Sequence, residues 1–109
     1  MQYKVHIPNS VKKDIDEIIE YYIDERPDYA RKVFDSFLAR IDTLKFYPQK
    51  GRTVPELFDY NINDYRELIE SYWRIIYRIE EDTVIIYTII DARRNVHDLL
   101  IEKLKRKFV

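Results

Sequence analysis

Cysteine is absent from this 109-residue chain, and histidine occurs twice, as His6 and His97. Without thiols there is neither a disulfide framework nor a thiolate metal site, and two imidazoles alone do not make a zinc centre. The sequence therefore implies no metal and no cofactor. Glycine occurs once, at position 51, and proline four times, so no stretch has the composition of a long flexible or Pro-rich linker. No apolar run approaches the ~20 residues that span a bilayer. Nor does a basic, then apolar, then small-residue pattern open the chain as in a secretory signal. The chain reads as cytosolic, with no membrane partner. An excess of one charge is missing too: 19 Lys and Arg oppose 20 Asp and Glu, a net charge of −1, which argues against a generally basic nucleic-acid surface.

What is present is core-forming bulk. The chain is 46% hydrophobic and 15% aromatic, with ten tyrosines, five phenylalanines and one tryptophan. A chain of this length buries roughly two-thirds of its unfolded surface, so residues 1–109 read as one globular domain. The charge is uneven, because residues 92–109 hold six Lys and Arg against two Asp and Glu. That end is either a solvated amphipathic helix or a local phosphate footprint.

Period-two alternation over residues 2–7 puts Tyr3, Val5 and Ile7 on one face of a short strand that stops at Pro8, with His6 facing away. Asn9 or Ser10 is a candidate cap for a helix carrying Val11, Ile15, Ile18, Ile19 and Tyr22. Pro27 interrupts that stripe, and Asp28 is the next candidate cap. Ala30, Val33, Phe34, Phe37, Leu38, Ile41 and Leu44 then keep helical spacing. Two such helices form an antiparallel hairpin whose apolar face needs a sheet. From Thr53 the pattern changes to β-branched and alternating runs at 65–69, 72–79 and 84–91, a three-stranded antiparallel meander. Val96, Leu99, Leu100 and Leu104 mark a short basic end helix. The expected fold class is α+β in the order β-α-α-β-β-β-α.

Regular hairpins would set Ile79 opposite Val84 and Ile69 opposite Tyr72. One face then carries Leu68, Trp73, Ile75, Tyr77, Ile79, Val84, Ile86, Thr88 and Ile90 as the core. The other carries Tyr65, Glu67, Tyr72, Arg74, Ile76, Arg78, Ile85, Tyr87 and Ile89, with Glu67 directly across from Arg74. That second face is either an ordinary half-exposed sheet surface with a cross-strand charge pair, or a cationic floor. In the latter, Arg74 and Arg93 or Arg94 bind phosphate or a partner, and tyrosines stack on it. Parity puts Arg93 on this face and Arg94 on the other, unless a twist past Asp91 exchanges them.

Several segments in order resemble one family: Pro48-Gln-Lys-Gly51-Arg52-Thr-Val54-Pro55-Glu56-Leu57, Tyr65-Arg66-Glu67-Leu68, Tyr72-Trp-Arg74-Ile-Ile-Tyr77-Arg78-Ile79, and Asp91-Ala-Arg93-Arg94. The set is similar to the RelE/ParE toxin superfamily of type II toxin–antitoxin systems, which includes plasmid-stabilisation proteins. The resemblance implies a growth-inhibiting toxin held inactive by a cognate antitoxin, in a complex that can be oligomeric. It leaves two targets. A ParE-like member poisons DNA gyrase; a RelE-like member is a metal-independent endoribonuclease that cuts mRNA on the ribosome. A non-toxic antitoxin-binding module is a third alternative.

For RNA cleavage the resemblance points to Arg74 and Arg94 as cations at the phosphate, with Arg93 as the alternate, and to His97 as acid or base. A 2′-OH must lose its proton, a 5′-oxygen must gain one, and the phosphorane charge must be stabilised. Arg52 and Arg66 would position phosphates or a partner, together with Tyr65, Tyr72 and Tyr87. The acidic balance of the chain and the Arg-Arg pair after the last strand tilt the reading toward the gyrase poison. Tyr77 falls on the core face, which favours a structural role.

Overall fold

The computed structural model describes residues 2–107. Met1, Phe108 and Val109, the ends of the expected 1–109 domain and of its basic last segment, lie outside the described residues. The elements are β1 (Lys4–His6), α1 (Asn9–Ile23), α2 (Pro27–Thr43), β2 (Arg52–Thr53), a 3-10 helix (Pro55–Tyr60), β3 (Tyr65–Glu70), β4 (Trp73–Glu80), β5 (Thr83–Asp91) and α3 (Val96–Lys107). The α+β order derived from the sequence is present, with β2 and the 3-10 helix added between α2 and β3. Five strands form one sheet in the order β1-β5-β4-β3-β2. β1 runs parallel to β5, and the other neighbours are antiparallel.

Neither helix of the hairpin begins on an Asn, Ser or Asp cap. Asn9 and Ser10 are already helical behind Pro8, and Asp28 lies in the first turn of a helix that starts at Pro27. Proline at a first helical position needs no N–H partner and arrives with a helical φ, so Pro27 opens α2 as much as it closes α1. Tyr22 and Tyr29 meet edge to face at 4.9 Å across the connection. Ala30, Val33, Phe37 and Ile41 of α2 and Leu44 just after it are buried, while Phe34 and Leu38 remain 38% and 40% exposed. The apolar stripe is wider than the sheet that covers it.

The hairpin lies on one sheet face. Its core joins Val11, Ile15, Val33, Phe37 and Ile41 to Leu68, Trp73, Ile75, Tyr77, Val84, Ile86 and Ile89, with Tyr3, Val5 and Ile7 packed at its edge. Each apolar side chain fully buried there contributes about 1.5–3 kcal/mol. A second core covers the opposite face, where Tyr65, Ile76 and Ile90 pack with Val54 and Leu57 beside the 3-10 helix and with Val96, Leu100 and Leu104 of α3. The sheet is thus buried on both sides, not half-exposed.

Two registers also differ from the regular hairpins expected. Ile69 pairs with Arg74 and Glu70 with Trp73, so the β3–β4 loop is Ser71-Tyr72, and Glu67 lies across from Ile76, not from Arg74. The two-residue shift keeps every side chain on its expected face and makes Glu67 and Arg74 diagonal neighbours. Between β4 and β5, Ile76 pairs with Thr88 but Tyr77 with Ile86. Tyr87 is therefore the extra residue of a β-bulge, which reverses the parity of everything after it. Ile89 joins the hairpin core and Ile90 the second core, opposite to a regular strand. Ile79 faces Val84 as expected. Ser71 and Glu81 take left-handed backbone angles (φ 57° and 56°) at the first positions of the tight loops.

Candidate functional site

Arg74 is the centre of a charged network under the 3-10 helix. It is 6% exposed, and Glu67 beside it is 2% exposed. Its Nε donates to Glu67 Oε1 at 2.7 Å, and Nη2 also contacts that carboxylate. Nη1 and Nη2 fork onto the two oxygens of Glu56 at 2.6 Å each. The other oxygen of Glu67 accepts from Arg52 Nε at 2.6 Å. β2 and β3 place Arg52 opposite Glu67, and Pro55 opens the short helix that carries Glu56. The result is an alternating chain Arg52–Glu67–Arg74–Glu56. All three Arg74 nitrogens are engaged by carboxylates, as buried charges require. The hydrogen bonds from Arg74 hold the Glu56 carboxyl below its ordinary range against the opposing effect of burial. Reciprocally, the Glu56 hydrogen bonds raise the Arg74 guanidinium.

On the other face the turn before β2 is pinned by Tyr77. The phenol donates to the carbonyl of Pro48 at 2.8 Å and accepts the N–H of Gly51 at 2.9 Å, in the buried interior. Burial pushes the phenol pKa up. Gly51 is required by proximity: a Cβ there would lie 2.5 Å from the Glu67 carbonyl oxygen and 2.6 Å from the Tyr77 hydroxyl. Arg66 closes the turn by donating to the Gly51 carbonyl at 2.8 Å. Tyr77 has the structural role its core position suggested.

The end of the sheet carries the second group of charges. Arg93 makes a forked pair with Asp91, at 3.0 Å through Nε and 2.7 Å through Nη2. Its guanidinium lies 4.5 Å from the ring centre of Tyr72. These hydrogen bonds depress the Asp91 carboxyl and raise Arg93. Arg93 and Arg94 both line a cleft of about 480 Å³ between α1, the end of β5 and α3. Parity had separated them, but the strand has ended at Asp91 and both reach the same cleft.

His97 lies elsewhere, in the first turn of α3 against the 3-10 helix. Its Nε2 is 3.0 Å from the Tyr60 hydroxyl and its Nδ1 is 3.0 Å from Asp98 Oδ1. Among the described residues, no hydrogen bond or ion pair joins it to Arg74 or Arg94. Nor does any group of three or more His, Asp or Glu side chains there have the arrangement to hold a metal ion.

The structure therefore divides the residues singled out from the sequence. Arg52 and Arg74 are joined through Glu67; Arg93, Arg94 and Tyr72 gather at the sheet end; Arg66 braces a turn. Tyr65 is 4% exposed and meets Tyr87 at 5.0 Å within the second core, so these two rings are not an open stacking platform. Burial, then Tyr65, pushes the Tyr87 phenol up to about 12. Of the two alternatives for that face, the cationic floor does not match the surroundings of Arg74, because two carboxylates enclose the guanidinium. Glu56 and Tyr60 were missed as partners. The first is foreshadowed only by its place after Pro55, and the second by nothing in the sequence.

Comparison with known proteins agrees with this fold. The sequence matches, over residues 5–96, the family model described as the ParE toxin of the type II toxin–antitoxin system parDE. Among solved structures, the chromosomal ParDE system from P. aeruginosa is similar at a TM-score of 0.67 and 17% identity, covering 83% of this chain and 96% of that one. The RelBE2 toxin–antitoxin complex from Mycobacterium tuberculosis is similar at a TM-score of 0.56 and 16% identity, covering 84% and 99%. No curated protein sequence matches significantly. Among the described residues no helix is long and apolar enough to cross a membrane.

Proposed function

Since the chain belongs to the ParE toxin family of type II toxin–antitoxin systems, we propose that it arrests growth by gripping DNA gyrase and is neutralised by a cognate antitoxin. The observation that carries this reading is the saturation of Arg74. Phosphate could take the Arg74 donors only if Glu56 and Glu67 gave them up, and a carboxylate 2% exposed would then lose its main counter-charge. A toxin that works by surface contact has no need of that exchange. It needs a rigid fold with exposed side chains, and Tyr21, Phe58, Tyr60 and Tyr72 are 80%, 67%, 49% and 51% exposed.

One observation favours a second reading, ribosome-dependent mRNA cleavage. His97 sits between a phenol and a carboxylate, an arrangement that can pass a proton, three residues beyond Arg94. The two readings separate in one experiment. The protein is induced in a bacterium lacking the antitoxin, and RNA 5′ ends and DNA breaks are mapped within minutes. The gyrase reading expects arrested growth, an unchanged RNA map and breaks that disappear in a strain with resistant gyrase. New 5′ ends phased to codons would overturn it in favour of the nuclease. Normal growth with soluble protein would overturn both and leave a non-toxic antitoxin-binding module.

A further inference from the structure

The cleft at the end of the sheet combines three features that nothing within the described residues uses up. First, it contains an unengaged cation. Asp91 is occupied by Arg93 and Asp14 by Lys103, at 3.7 Å across from α1 to α3. Among the described residues the Arg94 guanidinium makes no hydrogen bond or ion pair; its electrostatic influence reaches Asp91. Second, Trp73 lines the same cleft. It is 6% exposed, and its indole Nε1 is a buried donor with no acceptor. An orphaned buried N–H forfeits its hydration without return, and an arriving acceptor would recover that loss. Third, the cleft has apolar walls, with Ile18 and Tyr22 on α1 and Leu99 on α3, and the highly exposed Tyr21 at its rim.

The charges are also polarised. With Arg93 paired to Asp91 and Lys103 to Asp14, the β5 end keeps the charge of Arg94, whereas Glu17 on α1 leaves the opposite wall acidic. An occupant with a carboxylate at one end and an apolar body matches this order, provided that the carboxylate meets Arg94 and not Glu17. We propose that this cleft is a receptor for a carboxylate-bearing, otherwise apolar segment of the antitoxin, with Arg94 as the cation and the Trp73 indole as the second donor. The choice of occupant rests on the toxin–antitoxin reading; the anion chemistry does not. The two can therefore fail separately.

The chain has one tryptophan, so an ¹⁵N-labelled sample gives a single indole N–H resonance. The full chain is titrated with N-acetyl-leucine and, separately, with N-acetyl-leucinamide, which has the same apolar body but no charge. The expected result is a saturable downfield shift of the indole signal with the carboxylate, half-complete at millimolar concentration. The amide should be at least tenfold weaker, and Arg94→Ala should lose the response while the remaining amide spectrum is unchanged. An equal response to both compounds, or no saturable response, would overturn the proposal. So would a shift that persists in Arg94→Ala, because Trp73 also lines a smaller cleft against α2, and the donor would then belong there. The occupant is tested with the antitoxin encoded beside this chain: Arg94→Ala should weaken the complex at least tenfold, and unchanged affinity would refute the antitoxin as its ligand. Loss of the toxin reading itself would show instead as growth that never arrests.

Discussion

Replacing Arg74 by methionine tests whether the charged network is architecture. The substitution keeps the aliphatic length and removes the guanidinium. Glu67, whose side chain has no exposed surface, is left with only the Arg52 Nε, and Glu56 loses both of its forked hydrogen bonds. Removing one partner of a buried pair costs about 3–5 kcal/mol, because the other charge stays buried without compensation. Against a total stability of about 5–15 kcal/mol for a domain, that is a large fraction. With about 4–8 °C of melting temperature per kcal/mol at this chain length, the expected fall exceeds roughly 10 °C. The assay is thermal and urea unfolding followed by far-ultraviolet circular dichroism, with Trp73 fluorescence as a second probe.

The decisive comparison is the double variant Glu67→Leu with Arg74→Met. It removes both buried charges, and the survivors can use water, since the Arg52 and Glu56 side chains are 58% and 25% exposed. The double variant should therefore be more stable than Arg74→Met alone, although it carries one more substitution. A single variant within about 1 kcal/mol of the parent, or a double variant less stable than the single, would refute the reasoning. The result bears on function as well. If Arg74→Met melts near the growth temperature, loss of toxicity in that variant says nothing about catalysis.

Tyr77→Phe should cost about 1–3 kcal/mol by leaving the Gly51 N–H and the Pro48 carbonyl buried without partners, measured by urea unfolding; Gly51→Ala should cost at least as much, since the obstruction at 2.5 Å is backbone. Because the folded-state pKa of Glu56 is depressed below the ordinary 4.5, its stabilisation is complete above that value and is lost as pH falls through the depressed one. Glu56→Gln should accordingly flatten the acid limb of a stability–pH curve, and an unchanged limb would contradict the linkage. Tyr87 is shifted the other way, from 10.0 to about 12, so its contribution is complete below pH 10 and declines as pH rises toward 12; Tyr87→Phe should remove that alkaline decline. His97→Ala should leave growth arrest intact under the gyrase reading, and a well-folded variant that no longer arrests growth would contradict it.

The helices, the meander and the hairpin core were legible because each follows from one periodic pattern. Val33, Phe37 and Ile41, or Ile75 and Tyr77, announce their face by spacing alone. The breadth of a stripe is a different matter. Phe34 and Leu38 keep helical spacing as well as Val33 does, yet they remain partly exposed, because helical spacing marks a face and not how much of it a neighbour covers. Likewise β2 and the 3-10 helix were missed, since two residues and six residues are too few to carry a period. Both are held by long-range bonds, Arg52 and Arg66 to β3 and the turn, and Glu56 to Arg74, that no local window contains.

The surroundings of the candidate residues differ from the strand-by-strand reading for one local reason and one non-local reason. The local one is Tyr87. A single unpaired residue in β5 turns Ile89 and Ile90 over, and no turn residue or glycine marks it, because Tyr87 does not take the left-handed backbone angle that would favour one. The non-local one is closure. A face bearing Tyr65, Glu67, Arg74, Ile76 and Tyr87 looks open when read strand by strand, but Leu100 and Leu104 come from far along the chain to cover it. Once it is covered, every charge on it must be paired or expelled, which is why Arg74 sits between two carboxylates. The charges that remain available are those beyond the last strand, where the chain leaves the sheet before α3 can cover it. Among the described residues Arg94 makes no hydrogen bond or ion pair there, so the surface chemistry left by this pairing lies at the sheet's end and not on its face.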